Sequence, residues 1–323
     1  MLSMRFDLRL PNMNAAQIAD QYHAALDMAQ WADGKPGFTI GLTEHHAAED
    51  GYMSSPLVVA TAMAARTSNV KFLIGCALLP MYDPVRLAEE IIALDYISRG
   101  RVTYVLGIGY RPEEYALYGL DFNERGRIAD QKVEQLLCEL DKAQRASEPL
   151  RVTPAPFTSP RPPIMWGGAS KPAARRAGRL GLGFFAQTDN PELGKIYRES
   201  SLAAGHQPGP LVLPSADRPS IVFVDPDPDS AWQELGQYLL QDARSYAEWN
   251  RNTKHQTVSL SQAQTVESLR EERAAHQILT PAEAVGQINL WGSLSLHPLC
   301  GGCPPKIAWS YLTNIEQYLL PLL

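Results

Sequence analysis

The chain has 323 residues, of which 45% are hydrophobic and 20% are charged. This is ordinary globular usage, and it excludes a disordered or fibrous protein. The 35 acidic residues outnumber the 29 basic ones, so no broad basic surface is expected for a nucleic-acid backbone. No apolar run approaches the roughly 20 residues of a spanning helix, and residues 1–9 lack a signal-peptide core. We predict a cytoplasmic protein that binds neither nucleic acid nor membranes.

The four cysteines are Cys76, Cys138, Cys300 and Cys303. They are too few and too scattered for a disulfide framework in a chain of this length, so reduced thiols are expected. Cys300 and Cys303 form a C-x-x-C motif, but a structural zinc site needs two further ligands and only His297 is close in sequence. We therefore predict no metal site.

Short apolar runs alternate with longer amphipathic stretches along the chain, which is typical of a parallel sheet wrapped by helices. An open doubly wound sheet is the rival fold, but the glycine-rich dinucleotide motif does not follow the first strand. Eight strand–helix pairs predict an α/β fold, a closed (β/α)8 TIM barrel that occupies 1–323 as one domain. The predicted strands are 5–10, 38–43, 70–79, 101–106, 164–166, 182–186, 220–224 and a weakly marked eighth near 290–296. The predicted helices are 15–31, 55–67, 83–97, 127–146, 172–179, 191–204, 230–250 and 306–320.

A polar stretch lies between the seventh helix and the eighth predicted strand. Residues 252–268 contain three Gln and six Ser or Thr among few apolar residues, so this stretch buries too little surface to be rigid by itself. Inserted loops in this fold act at the carboxyl ends of the strands. We predict a mobile lid over the barrel mouth at about 250–275.

Glu44, His45 and His46 follow the second predicted strand, where the active site of a barrel lies. Two imidazoles beside a carboxylate provide a base, a donor and an orienting partner. This arrangement predicts His45 and Glu44 as catalytic residues. A solvated loop and a pair of metal ligands are the alternatives.

Two glycine-containing loops are candidate cofactor sites. Gly167, Gly168 and Ser170 precede a helix, so free backbone N–H groups there favour a phosphate, although Ser170 as a simple helix cap explains the sequence equally well. Gly107 and Gly109 allow close approach of a planar ligand, or simply a turn. Arg111, with Glu113 and Glu114, is a further candidate ligand contact, although a solvated first helical turn explains the two acids equally well.

A set of motifs in fixed order resembles the bacterial-luciferase-like flavin monooxygenases over most of the chain. The motifs are T-E-H-H at 43–46, S-P at 55–56, A-A-R-T at 64–67, D-P-V-R-L-A-E-E at 83–90, L-D-Y-I-S-R-G-R at 94–101, G-I-G-Y-R at 107–111, P-P-I-M-W-G-G-A-S at 162–170, L-T-P-A-E-A at 279–284 and H-P-L-C-G-G at 297–302.

The resemblance implies reduced FMN at the carboxyl ends of the strands, reaction with oxygen, and oxygen insertion into a small organic substrate. His45 then resembles the family's catalytic imidazole, and Cys76 and Ala77 match the strand that bulges against the flavin, sometimes through a non-proline cis peptide. Gly167, Gly168 and Ser170 match its phosphate loop.

The family's flavin-phosphate arginine is replaced here by Ile108, and Arg111 is the predicted substitute. A homodimer is also implied. A separate flavin reductase is expected because the sequence shows no nicotinamide motif. A deazaflavin-dependent hydride-transfer enzyme and a non-catalytic flavin-binding protein are the alternatives.

Overall fold

The computed structural model describes residues 1–12, 14–251, 257 and 259–323. These residues form two compact units. The first unit contains residues 1–41, 48–52 and 214–323, and the second contains residues 42–47 and 53–213.

Ten strands and eleven α-helices occur within the described residues. The strands are β1 (Leu2–Phe6), β2 (Phe38–Leu42), β3 (Lys71–Leu78), β4 (Val102–Gly107), β5 (Ile164–Gly168), β6 (Gly183–Ala186), β7 (Leu211–Val212), β8 (Ile221–Val224), β9 (His276–Leu279) and β10 (Leu294–Leu296). The helices are α1 (Ala15–Asp33), α2 (Pro56–Ala65), α3 (Pro84–Ser98), α4 (Pro112–Leu117), α5 (Arg125–Ala143), α6 (Lys171–Arg179), α7 (Pro191–Ala203), α8 (Pro228–Trp249), α9 (Val266–Glu272), α10 (Pro281–Trp291) and α11 (Pro305–Asn314).

The first unit is built on parallel strands in the order β2-β1-β10-β8-β9. Strand β1 pairs with β10 from Leu2 opposite Leu294 to Met4 opposite Leu296. The side chains of Leu2, Met4 and Phe6 are buried while the intervening ones are partly exposed, which is the two-residue period of a strand with one core face. This pairing leaves the residues after β1 and after β10 at neighbouring strand ends.

The second unit contains parallel strands in the order β7-β6-β5-β4-β3. Strands β4 and β5 are buried along most of their length, as expected for parallel strands covered by helices. The pairing of β3 with β4 shifts register between Gly75 and Ala77, and the peptide bond between Gly75 and Cys76 is cis. The bulge and the cis peptide suggested by the family resemblance are both present.

Two predicted strands are wrong in detail. The first strand covers Leu2–Phe6 rather than 5–10, because Leu8 has a φ of 54° and leaves the extended conformation. The eighth is predicted near 290–296, but Leu290 and Trp291 end helix α10 and the strand begins only at Leu294. Sequence patterns predict neither β7 nor β9, since two and four residues are too few to show a periodic pattern.

The predicted lid at 250–275 falls partly on residues 252–256 and 258, which lie outside the described residues. Within the rest of that stretch, Val266–Glu272 forms helix α9, and Leu269 is buried. The lid stays a prediction, as does the single domain. None of the described helices combines the length and apolar character that a bilayer crossing requires.

Helix α6 packs against α7 through Gly178, because a Cβ at this position would lie 2.6 Å from the Tyr197 carbonyl oxygen and 2.7 Å from the Ser201 nitrogen. We predict that Gly178→Ala lowers the free energy of unfolding by about 1–3 kcal/mol, since backbone atoms must move apart. A Cβ added to Gly286 in α10 would meet no described atom within 4 Å, so Gly286→Ala is the matched control and should stabilise by about 0.5–1 kcal/mol. Urea unfolding measures both. Equal effects of the two substitutions would contradict this account of the helix contact.

Candidate active site

The imidazole of His45 lies just beyond the end of β2 and is held by a carboxylate. Its Nδ1 is 2.7 Å from Oε1 of Glu114, and both side chains are buried. An ionised carboxylate can only accept a hydrogen bond, so Nδ1 carries the ring proton. The other nitrogen, Nε2, is then the basic one, and it lies 3.3 Å from the hydroxyl of Tyr110. One ring nitrogen of His45 is thus held by Glu114, and the other faces Tyr110.

The contact between Glu114 and His45 is the feature of the site that the sequence did not predict, because Glu114 was left open between a ligand contact and a solvated helical turn. The interpretation of a solvated first helical turn holds for the exposed Glu113, whereas Glu114 is 0% exposed. Its Oε1 also accepts a hydrogen bond from the backbone N–H of His46 at 3.0 Å. Its Oε2 has no hydrogen-bond partner among the described atoms. In the sequence, Glu114 is distinguished from Glu113 only by its position directly before Tyr115. In the structure both Glu114 and Tyr115 are buried on the short helix α4.

Glu44 faces His46 and the end of β3. It accepts hydrogen bonds from His46 Nε2 at 2.8 Å, from the Tyr82 hydroxyl at 2.9 Å and from the Leu78 backbone N–H at 3.2 Å. Burial raises the pKa of Glu44 above its ordinary value, and these three donors oppose that rise. The structure therefore brings Glu114, and not the predicted Glu44, to His45. Glu44 joins the ends of β2 and β3.

Arg111 is also engaged with the protein. It is buried, and its guanidinium donates to the carbonyl of His46 at 2.6 Å and to that of Ala47 at 3.3 Å. These bonds fix the backbone on which the two histidines stand. The predicted contact between Arg111 and a cofactor stays a prediction.

Two of the predicted cofactor-binding glycines, Gly107 at the end of β4 and Gly167 on β5, lie beside the thiol of Cys76 on β3. A Cβ on Gly107 would lie 2.8 Å from Cys76 Sγ, and one on Gly167 would lie 3.6 Å from it. Gly109 has a φ of 70°, and a Cβ there would come within 3.2 Å of Glu114 Oε2. The glycines thus make room for Cys76 and Glu114, and Ala77 follows the bulge beside them.

Ser170 caps helix α6, because its hydroxyl accepts from the Ala173 N–H at 3.3 Å. A Cβ on Gly168 would lie 2.6 Å from Ala173 Cβ, so the turn before the helix requires glycine. Pro172 has no N–H, which leaves fewer donors for an anion at this helix end. The cap is present, and phosphate binding stays a prediction.

Thiol reactivity gives a direct test of this packing. Burial raises the pKa of Cys76 and of Cys303 to about 12 and that of Cys300 well above its ordinary value, so all three remain protonated near neutral pH. Cys138 is exposed, Cys76 is partly exposed behind the glycines, and Cys300 and Cys303 are buried. We predict one fast-reacting thiol per native chain with an aromatic disulfide reagent, and none in Cys138→Ser. Fast labelling that persists in this variant would show that a buried thiol is accessible.

Comparison with known proteins places this chain in a family. A family model described as luciferase-like monooxygenase matches residues 4–296. The beta chain of alkanal monooxygenase from Vibrio harveyi is 26% identical over 216 residues, which are 62% of this chain and 67% of that protein. Matches to two other curated relatives cover 44% and 26% of those proteins, so the chain spans less than half of their length.

Solved structures share the fold along the chain. Monooxygenase RslO1 from Streptomyces bottropensis has a TM-score of 0.74 at 22% identity over 99% of both chains. The oxygenating constituent of 3,6-diketocamphane monooxygenase from Pseudomonas putida, solved with FMN, has a TM-score of 0.69 at 19% identity over 99% of this chain and 98% of that one. An F420-dependent secondary alcohol dehydrogenase, solved with an F420–acetone adduct, has a TM-score of 0.66 at 15% identity, with the same coverage.

The predicted α/β fold of the (β/α)8 barrel type is thereby confirmed. The family match covers nearly the whole chain, and it confirms the resemblance drawn from the motifs. The chain belongs to the luciferase-like monooxygenase family.

Proposed function

We propose that this protein is a flavin-dependent monooxygenase that uses reduced FMN and oxygen to oxygenate a small organic substrate. The observation that carries the proposal is the buried pair of His45 and Glu114, 2.7 Å apart, at the end of β2. Support comes from the family and from a neighbour that was solved with FMN. Aldehydes and cyclic ketones are the substrate classes to try first, given the names of alkanal and diketocamphane monooxygenases.

The residues present fit a bound flavin in two respects. The bulge at Cys76 and Ala77 and the neighbouring Gly107 offer backbone without large side chains, and the first turn of α6 with Ser170 offers dipolar stabilisation to a phosphate. These residues would hold the cofactor. When bound, reduced FMN would supply the electrons with which oxygen is activated.

His45 then moves a proton at its Nε2. Glu114 keeps the opposite nitrogen protonated and stabilises the positive charge that the ring acquires when Nε2 takes up a proton. The Tyr110 hydroxyl, 3.3 Å from Nε2, orients that nitrogen and can pass a proton to or from it. Arg111 and Glu44 maintain the backbone around the pair. Each of these roles depends on groups that are already buried and aligned.

A second candidate is hydride transfer with a deazaflavin. The dehydrogenase solved with the F420–acetone adduct and a coenzyme F420 dependent reductase from Methanopyrus kandleri share the fold. The two candidates differ in their need for oxygen. Product that contains label from ¹⁸O₂ supports the monooxygenase, and anaerobic substrate turnover with reduced deazaflavin supports the alternative.

Three further features belong to the proposal. A separate reductase would supply the reduced flavin, because the sequence shows no nicotinamide motif. A homodimer is proposed from the family resemblance, and a cytoplasmic location is proposed independently of it. None of them affects the chemistry assigned to His45.

We predict that His45→Gln lowers substrate turnover by about two to four orders of magnitude, because proton transfer is lost while the side chain stays polar. Glu114→Gln should lower turnover less, since the amide can hold either ring tautomer. The matched control is Glu113→Gln, which changes the exposed neighbour on the same helix. The measurements are ¹⁸O incorporation and flavin affinity for each variant. Wild-type turnover by His45→Gln with normal flavin affinity would remove His45 from the mechanism.

The phosphate loop is tested by comparing FMN with riboflavin. We predict that the wild type binds FMN more tightly and that Ser170→Ala reduces this preference, because a donor and a helix cap are both lost. Asn190→Ala is the control, as it removes the cap of α7 in the same way. Fluorescence titration gives the ratio of dissociation constants. Equal affinity of the wild type for both flavins would show that the loop does not bind the phosphate.

A further inference from the structure

A second group of buried polar side chains lies in the first unit, apart from the residues assigned above. Asp7 follows β1, Asp242 lies on α8, His297 follows β10, and Cys300 begins a short 3-10 turn, Cys300–Gly302. All four are 0% exposed. Strand pairing explains their meeting, because β1 and β10 are neighbours and end side by side. We call these four residues the cysteine–aspartate cluster.

Several polar atoms of this cluster lack a hydrogen-bond partner among the described atoms. They are Asp7 Oδ2, Asp242 Oδ1 and His297 Nε2. Buried polar atoms are nearly always satisfied, and each exception calls for a specific explanation such as a water or an ion. Here the atoms are two carboxylate oxygens, 3.5 and 3.8 Å from Arg9, and an imidazole nitrogen 3.4 Å from Asp7 Oδ1, beside a thiol. This set consists of metal-ligand types.

The distances suit a small cation. One ligand atom each from Asp242, His297 and Cys300 lies within 4.8 Å of the other two. A tetrahedral Zn²⁺ with bonds of about 2.0–2.3 Å places its ligands roughly 3.5 Å apart. The three side chains therefore need to close by about 1 Å. Asp7 lies outside this group of three, but its Oδ1 is 3.4 Å from His297 Nε2, so Asp7 can supply a fourth donor after a similar movement.

We propose that the cysteine–aspartate cluster binds one divalent cation of the zinc type through Asp242, His297 and Cys300, with Asp7 as the fourth ligand. Zinc-class ions bind this mixture of sulfur, nitrogen and oxygen, whereas calcium and magnesium require oxygen ligands. On binding, a bond forms between the metal and Cys300 Sγ, the S–H bond breaks, and the proton passes to bulk water. No electron is transferred.

The charges around the cluster support a cation. Arg9 lies 3.5 Å from Asp7, 3.6 Å from Asp50 and 3.8 Å from Asp242. With Arg5, two guanidiniums face these three carboxylates, and Asp242 Oδ2 also lies 2.9 Å from His276 Nε2, so a neutral His276 leaves one negative charge in excess. A divalent ion with the Cys300 thiolate adds one net positive charge and makes the group neutral.

Arg5 opposes the metal at one point. Its Nη2 lies 3.2 Å from His297 Nδ1, and since a guanidinium can only donate, Nδ1 accepts and Nε2 carries the ring proton in the metal-free protein. Binding at Nε2 moves that proton to Nδ1 and breaks the bond with Arg5. Arg5→Met should consequently bind the metal at least about tenfold more tightly, because a competing cation and a hydrogen bond are both removed.

The experiment uses the whole protein, stripped with a chelator and titrated with Co²⁺. We expect one Co²⁺ per chain, with a thiolate-to-cobalt charge-transfer band. Cys300→Ser should lose the band and bind at least about a hundredfold more weakly. Cys303→Ser is the matched control, because this neighbouring buried thiol lies outside the cluster and its loss should leave the band unchanged. The readout needs neither flavin nor substrate.

The Co²⁺ titration can overturn the metal site in several ways. A wild-type protein without stoichiometric Co²⁺ overturns the proposal and indicates that a proton on a histidine balances the charge. A band that survives in Cys300→Ser, or that disappears equally in Cys303→Ser, also overturns it. If Cys300→Ser does not fold, the wild-type spectrum and Asp242→Asn decide: the band must be present in the first and weakened in the second.

Discussion

The hydrogen bond between Glu114 and His45 is the contact on which the proposed chemistry depends. A single carboxylate oxygen binds both the His45 ring and the His46 backbone N–H, so one group sets the tautomer of the ring and the position of the chain that carries it. Burial makes this arrangement strong, because few waters compete for the carboxylate. It also makes the site intolerant of change, since removing Glu114 leaves a buried N–H without an acceptor.

In the first unit, too, buried polar groups depend on one another, because each buried charge is stabilised by neighbouring charges or aromatic rings. The guanidinium of Arg9 lies 4.7–4.9 Å from the rings of Tyr52, Tyr246 and Trp249, so aromatic faces replace part of its lost hydration. Although burial alone would raise it, His297 and then Arg9 hold the pKa of Asp7 below its ordinary value. Stability from Asp7 is therefore present near neutral pH and is lost as the pH falls through that lowered pKa.

Local sequence patterns predicted most of the fold. The second, third and fourth strands follow from propensity, and helices that begin with proline after a capping residue, such as α3 behind Asp83, follow from capping. Helix α10 has the same kind of start behind Thr280, but it was not predicted, and the strand predicted near 290–296 overlaps its end. Strand β9 and the true limits of β1 do not follow from local patterns, since a four-residue strand has no period to detect and the turn at Leu8 depends on tertiary contacts.

In the candidate site, likewise, residues were predicted where a local pattern marks them, and contacts between residues distant in sequence were not. His45 stood out because it ends a strand, but its partner Glu114 is distant in sequence and lies in a helix whose other acid, Glu113, is solvated. Only folding distinguishes the two acids. The same holds for Asp242, which the chain brings to His297 and Cys300 although no motif connects them. A short motif identifies residues that act from one segment, whereas a buried cluster drawn from several strand ends becomes visible only when the strands are paired.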